Sequence, residues 1–211
     1  MVIGIIGIIG SGHIGSTLAR LAVNAGHTVV LSNSRGPETL SALVAGMGPA
    51  ASAATAEQAA AHGDVVVVSI PFSAHEDVPS GPLKGKVVID TGNYYAQRDG
   101  NIPAIDDGRT TNSELLAAHL GDARVVKAFN VIPYAELANE GLPPGHPERR
   151  ALPIAGDDAD AKKTVTELID SFGFDVVDAG PLAEGRRFQP GTPSYVTRLT
   201  AAELREALAS A

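Results

Sequence analysis

Ile5-Ile6-Gly7-Ile8-Ile9-Gly10-Ser11-Gly12-His13-Ile14-Gly15-Ser16-Thr17-Leu18-Ala19-Arg20 carries an apolar run into a G-x-G-x-x-G and on, without a break, into a helical pattern. The glycine motif by itself is weak, but between a strand and a helix it becomes a strong signal for a dinucleotide site. Gly10 suits the tight turn, Gly12 lets backbone approach a pyrophosphate, and Gly15 lets the helix pack close to the strand. The N–H groups at the helix start then face an anion with the helix dipole behind them. The competing reading is a plain strand-to-helix turn. Ser11, His13 and Ile14 lie inside the turn, where His13 is expected to contact cofactor through its backbone alone.

Apolar runs alternate with amphipathic ones along the rest of the chain. Strands are expected at Val2–Ile9, Thr28–Leu31, Val65–Val68, Lys86–Asp90 and Arg124–Phe129, with a weaker one near Ala50–Ala53. Helices are expected at Ile14–Asn24, Pro37–Gly46, Ala56–His62 behind a Thr55 cap, and Asn112–Leu120 behind Asn112 or Ser113. Tyr94–Thr111 and Asn139–Arg150, rich in Gly, Pro and Asp, read as loops. The last third repeats the grammar: strand Ala151–Ala155, a helix from Asp157-Asp158 to Phe172, strand Phe174–Asp178 and a terminal helix Leu199–Ala209. This order predicts an α/β, Rossmann-type, doubly wound and mostly parallel sheet with helices on both faces. One dinucleotide-binding domain is expected over 1–211, with a core over about 1–135 and a small C-terminal extension over about 150–211.

Composition narrows the function. The chain has 211 residues, a net charge of −8 and no cysteine. A large basic surface for nucleic acid is not expected. Disulfides, thiolate metal sites and a thiol nucleophile are ruled out. Asp106-Asp107 and Asp157-Asp158 read as loop and helix-start charges, so no metal site is expected. No leader pattern precedes the first strand and no apolar run reaches membrane-spanning length, so a cytoplasmic protein without membrane contact is expected.

The end of the second strand selects the dinucleotide. A carboxylate about 20 residues after the glycines would hold the ribose hydroxyls of NAD. Here the chain reads Ser32-Asn33-Ser34-Arg35-Gly36, with no acid before Glu38. Arg35 can make charge-assisted bonds to a 2′-phosphate, and Asn33 and Ser34 add neutral donors. NADP(H) is therefore expected over NAD(H); the bland reading of Arg35 is a solvated loop arginine.

Ligands of such sheets lie beyond the carboxyl ends of the strands. Those ends supply Ile70-Pro71-Phe72, Thr91-Gly92-Asn93-Tyr94-Tyr95, Lys127-Ala128-Phe129-Asn130 and Ile132-Pro133. The set is mostly apolar with a few polar groups, as pockets for small molecules are. His75 is placed at the border of the nicotinamide pocket or on the surface. Tyr94 and Tyr95 either flank a planar ring or merely pack. Lys127 donates a proton, contacts phosphate or is solvated. No hydrolase or triphosphatase motif is present.

Taken together, Gly10-Ser11-Gly12-His13-Ile14-Gly15, Ser34-Arg35, Ile70-Pro71-Phe72, Val125-Val126-Lys127-Ala128-Phe129-Asn130 with Ile132-Pro133, Ala155-Gly156-Asp157-Asp158 and Asp178-Ala179-Gly180-Pro181-Leu182 resemble the NADP-dependent coenzyme F-420 oxidoreductases and related small dinucleotide-binding reductases. The resemblance covers nearly the whole chain. It implies hydride exchange between NADP(H) and a stacked 8-hydroxy-5-deazaflavin, F-420, with no dedicated acid–base residue. It also implies that Ser34 and Arg35 hold the 2′-phosphate, that Ile70 and Ile132 border the nicotinamide, and it admits a homodimer. Asn130 stands where archaeal F-420 enzymes tend to have histidine. The segment Phe188–Tyr195 departs from their apolar tail and resembles instead the bacterial branch of predicted reductases. An NADPH-dependent reductase of a flavin, carbonyl or imine, and a non-catalytic NADP(H)-sensing module, are the alternatives. A carbonyl or imine acceptor would need a proton donor, from Lys127, Tyr94 or Tyr95.

Overall fold

The computed structural model describes residues 4–211. Strand β1 spans Ile5–Ile9, so the expected start at Val2 and Ile3 lies outside the described residues. Helix α1 (His13–Asn24) follows, then β2 (Thr28–Ser32). The helix expected over Pro37–Gly46 divides into a 3-10 turn, Pro37–Leu40, and a short α2, Ser41–Ala45. Next come β3 (Ala51–Ala53), α3 (Ala56–His62), β4 (Val65–Val68) and β5 (Val87–Asp90).

Two helical turns, α4 (Ala96–Asp99) and α5 (Pro103–Asp106), interrupt the segment expected to be loop. Both escape a reading by periodicity because a four-residue turn shows no repeat. Helix α6 (Asn112–Leu120) is capped by Thr111 rather than by Asn112 or Ser113: Thr111 accepts from Glu114 N–H while Glu114 accepts from Thr111 N–H. Strand β6 is Arg124–Lys127 and stops two residues early, because Phe129 takes a left-handed φ of 63°. A further helix, α7 (Tyr134–Asn139), precedes β7 (Ala151–Gly156), α8 (Ala159–Ser171), β8 (Asp175–Asp178) and α9 (Ala201–Ala209).

The strands form one eight-stranded sheet in the order β3-β2-β1-β4-β5-β6-β7-β8. From β3 through β6 all pairs are parallel; β7 then runs antiparallel to β6, and β8 parallel to β7. Val65–Val68 is buried at every position, which explains its unbroken β-branched sequence. Each such valine contributes on the order of 1.5–3 kcal/mol by burial. Residues of alternate parity separate to the two faces: Ile6, Ile8, Val65 and Val67 join one core, and Val66 and Val68 the other. The chain turns from one half of the sheet to the other between β1 and β4. At that switch point the loops after parallel strands leave a crevice at their carboxyl ends. Among the described residues, no helix is long and apolar enough to cross a membrane.

Candidate functional site

The crevice opens at the glycine turn. Gly10 has φ 107°, and a Cβ there would overlap the carbonyl of Ser69 at the end of β4. A Cβ on Gly15 would overlap the Gly10 carbonyl, so α1 can meet the strand only through glycine. Gly12 differs from both: a Cβ there would have nothing within 4 Å. The turn is thus closed by Gly10 and Gly15 and left open at Gly12, the cradle that a pyrophosphate needs. Gly12 is also the N-cap of α1 and offers no side-chain cap. By contrast α3, α6 and α8 have side-chain caps, and Glu203 accepts from Thr200 N–H at the start of α9. Gly12 at the start of α1 lines the crevice, and the first N–H groups of a helix lack intrahelical partners and suit an anion.

A cavity of about 440 Å³ extends from this turn. Ser11, Asn33, Ser34 and Arg35 line it on one side, and Ile70, Pro71 and Ala74 on the other. Asn33 Oδ1 accepts from Arg35 N–H at 2.9 Å, and Asn33 Nδ2 donates to Thr39 Oγ1 at 2.9 Å. Asn33 therefore shapes the loop and leaves Ser34 and Arg35 exposed beside the cavity. These residues fit an NADP(H) dinucleotide: an open cradle at an uncapped helix start, then a hydroxyl and a guanidinium beyond β2, where a 2′-phosphate would lie.

A second cavity of about 390 Å³ shares Gly12, Ser69, Ile70 and Pro71 with the first. Its remaining wall includes Asn93, Tyr95, Arg98, Asn130, Ile132 and Tyr195. Ile14, Pro133 and Tyr134 complete the side nearest α1. His13 also lines this cavity, and its ring stacks on Tyr134 with centroids 4.3 Å apart. Asn93 and Asn130 hold each other: Asn93 Nδ2 donates to the Asn130 carbonyl at 2.9 Å, and Asn130 Nδ2 to Asn93 Oδ1 at 3.1 Å.

Five residues that the sequence offered for the site are placed elsewhere. Lys127 and Ala128 are buried and line neither cavity. Lys127 Nζ donates to the Gly92 carbonyl at 3.0 Å, Asn112 Oδ1 at 3.2 Å and Ser113 Oγ at 3.0 Å. Burial pushes its pKa down, against the opposing pull of Asp90. Lys127 thus braces the loop after β5 from behind. Phe72 is buried with His75 stacked on it at 4.3 Å, and His75 Nδ1 lies 2.9 Å from the Phe72 carbonyl. Their 3-10 turn carries both rings off the crevice, leaving Ile70 and Pro71 to face it. Tyr94 also turns away; its hydroxyl lies 2.9 Å from both the Gly100 carbonyl and Asp106 Oδ1.

Sequence reasoning missed Arg98 and Tyr195. Arg98 Nε donates to Asp99 Oδ1 at 2.9 Å and Nη2 to the Asn93 carbonyl at 2.7 Å. Its guanidinium sits 5.0 Å from the Tyr95 ring centroid. Burial pulls the Asp99 carboxyl up, but the bonds from Arg98 and from the N–H groups of Tyr95 and Ser73 outweigh it and hold the pKa below the ordinary value. The Tyr95 hydroxyl is hydrogen-bonded to the Tyr195 hydroxyl, 100 residues away. No spacing rule connects them; a guanidinium and two phenols scattered over the chain carry no local pattern.

Fold, glycine cradle and crevice are those of a Rossmann-type, dinucleotide-binding class of protein. Residues 5–94 match the family described as "NADP oxidoreductase coenzyme F420-dependent". It is 33% identical to a hypothetical protein of Sinorhizobium meliloti, with a TM-score of 0.79 over 94% of this chain and 95% of that one. It is 32% identical over 187 residues to Metalloreductase STEAP3 of Rattus norvegicus, covering 87% of this chain. The chain spans only 35% of the length of that relative. A protein of Arthrobacter sp. FB24, provisionally described as an F420-dependent NADP reductase, is 24% identical, with a TM-score of 0.74 over 87% of each chain, and shows the fold alone.

Proposed function

We propose that this protein exchanges hydride between NADP(H) and the deazaflavin coenzyme F-420. The observation that carries this reading is the junction of the two cavities at Gly12, Ser69, Ile70 and Pro71. A dinucleotide held with its phosphates at Gly12 and its adenosine end at Arg35 fills the first cavity. The nicotinamide end is then directed past Ile70 and Pro71 into the second, where a planar acceptor has room. NADPH, when bound, supplies the hydride. The chain itself supplies position and a partly apolar wall that limits water, which accounts for much of the rate in reactions of this kind. Ile70, Ile132 and Pro133 form that wall, and no proton-transfer residue is required of them. The match of residues 5–94 to the coenzyme F420-dependent NADP oxidoreductase family supports F-420 as the acceptor.

A second reading, NADPH-dependent reduction of a flavin or a carbonyl-type acceptor, is favoured by the Tyr95–Tyr195 hydroxyl pair at the second cavity and by the likeness to a metalloreductase. Mixing the protein with NADPH and F-420 decides between the two. Bleaching of the deazaflavin absorbance at catalytic protein concentration is the expected result. Turnover of free flavin without turnover of F-420 selects the second reading, and NADPH binding with no turnover of any acceptor identifies a sensing module.

A further inference from the structure

Two non-glycine residues among those described have left-handed backbone, Phe129 at φ 63° and Val196 at φ 56°. For a β-branched residue such as Val196 that conformation is a genuine outlier, and strain of this kind gathers at functional sites. Both positions flank the second cavity. Phe129 lines it, and Val196 directly follows Tyr195, which also lines it. Val196 N–H donates to the Val131 carbonyl at 3.1 Å, tying the Tyr195 segment to the loop after β6. The strain thus sits where it holds the Tyr195 ring over the cavity.

The hydroxyl chemistry gives the strained geometry a purpose. Tyr95 and Tyr195 together carry two O–H protons, and one of them lies between the two oxygens. The second has no acceptor among the described residues and can be offered to a ligand. Burial, followed by the bond to Tyr95, pushes the Tyr195 pKa up, so the phenol stays protonated and remains a donor. Beside them the Arg98 side chain is 45% exposed, whereas Asp99 beneath it is wholly out of solvent. Arg98 Nε and Nη2 are committed to Asp99 and Asn93, which leaves Nη1 as the free edge of a fixed cation. Neutral donors and a cation converging on one wall favour an oxygen bearing negative charge.

We propose that Tyr95, Tyr195 and Arg98 form a subsite for an electron-rich oxygen, a ring phenolate or conjugated carbonyl, on a planar acceptor held in the second cavity. The proposal rests on the reading of that cavity as the acceptor compartment. It adds what the compartment recognises: an acidic ring hydroxyl or its equivalent, rather than an unsubstituted apolar ring. The three residues act by binding and orienting that oxygen. Hydrogen bonds from neutral phenols and from a guanidinium stabilise the ionised form, so a bound phenol titrates at lower pH.

The test uses the full chain saturated with NADP+ and 7-hydroxycoumarin, a planar phenol whose fluorescence reports its ionisation. Saturable binding to the wild-type protein with a lowered apparent pKa of the probe is expected. Because either phenol alone keeps one O–H to donate, the Tyr95→Phe/Tyr195→Phe double variant should return the probe toward its free pKa, and Arg98→Gln should move it in the same direction, with NADPH affinity and a cooperative melting transition retained as evidence of folding. In parallel, the double phenylalanine variant should raise the KM for F-420 about tenfold or more if F-420 is the acceptor. A probe pKa unshifted by the wild-type protein, absence of saturable binding, or a shift that survives in the double phenylalanine variant overturns the proposal. Failure of F-420 turnover with the probe shift intact instead overturns the choice of acceptor and leaves the subsite standing.

Discussion

Lys127 Nζ lies 3.8 Å from Asp90 Oδ2, with side-chain exposures of 1% and 5%. The pair is completed by Ser113 Oγ, which donates to Asp90 Oδ2 at 2.6 Å, and by Gly92 N–H, which donates to Asp90 Oδ1 at 2.8 Å. It fixes the start of the loop that carries Asn93, Tyr95 and Arg98, and it touches neither cavity.

Lys127→Met therefore acts on stability. Removing one partner of a buried ion pair is expected to cost about 3–5 kcal/mol, read from denaturant midpoints, with little change in NADPH affinity. The pH dependence has a defined sign. Burial lowers the folded pKa of Lys127 below 10.5. Between that lowered value and 10.5 the unfolded chain binds more protons than the folded one, so stability rises with pH in that window. The methionine variant should lack this rise. A stable variant that has lost NADPH binding would return Lys127 to the site.

The glycine turn predicts opposite outcomes for two similar substitutions. Gly15→Ala puts a Cβ into the Gly10 backbone carbonyl and should unfold or strongly destabilise the protein. Gly12→Ala puts a Cβ into open space at an extended backbone of φ −68° and ψ −171°, so the fold should survive. Its methyl group would stand where the pyrophosphate approaches, weakening NADP binding by roughly tenfold or more, on the order of 1.4 kcal/mol. Calorimetric titration with melting curves separates the two; equal stability for both variants would contradict the packing described for Gly15.

Arg35→Ala should discriminate between dinucleotides. A hydrogen bond to a charged group contributes about 1.5–3 kcal/mol, so the Kd for NADP should rise roughly 10- to 150-fold while that for NAD changes little. Equal losses for both would remove Arg35 from 2′-phosphate recognition.

The Asp99 carboxylate predicts an acid limit for the wall of the second cavity. Its folded pKa is depressed below 3.8, since the bonds from Arg98, Tyr95 N–H and Ser73 N–H outweigh the larger single effect of burial. The stability it contributes is fully present above 3.8 and is lost as pH falls through the lower folded value. Asp99→Asn should therefore be less stable than wild type at neutral pH, and the difference should shrink on acidification. Tyrosine fluorescence followed during acid titration checks it; a difference that stays constant down to the acid transition would contradict the assignment.

The glycine turn and the basic loop beyond β2 were legible because their determinants are local. Gly10, Gly12 and Gly15 sit on one strand-turn-helix, and Arg35 follows the next strand directly. Each residue type there answers to backbone geometry or to a single charge. The strands were legible for a related reason: a parallel strand covered on both faces must be apolar throughout, as Val65–Val68 is. Lys127 shows where that reasoning stops, since a lysine at a strand end looks the same in sequence whether it faces a ligand or is folded beneath a loop.

The sequence by itself determined the sheet, the glycine cradle and the basic residue beyond β2, because hydrophobic period and turn chemistry act over a few neighbouring residues. Only the tertiary structure decided what lines the second cavity. It sends Phe72 and His75 away on a 3-10 turn, buries Lys127, and brings Tyr195 to Tyr95 across 100 residues of chain. Contacts of that range form when packed elements close on one another, and no local pattern records them.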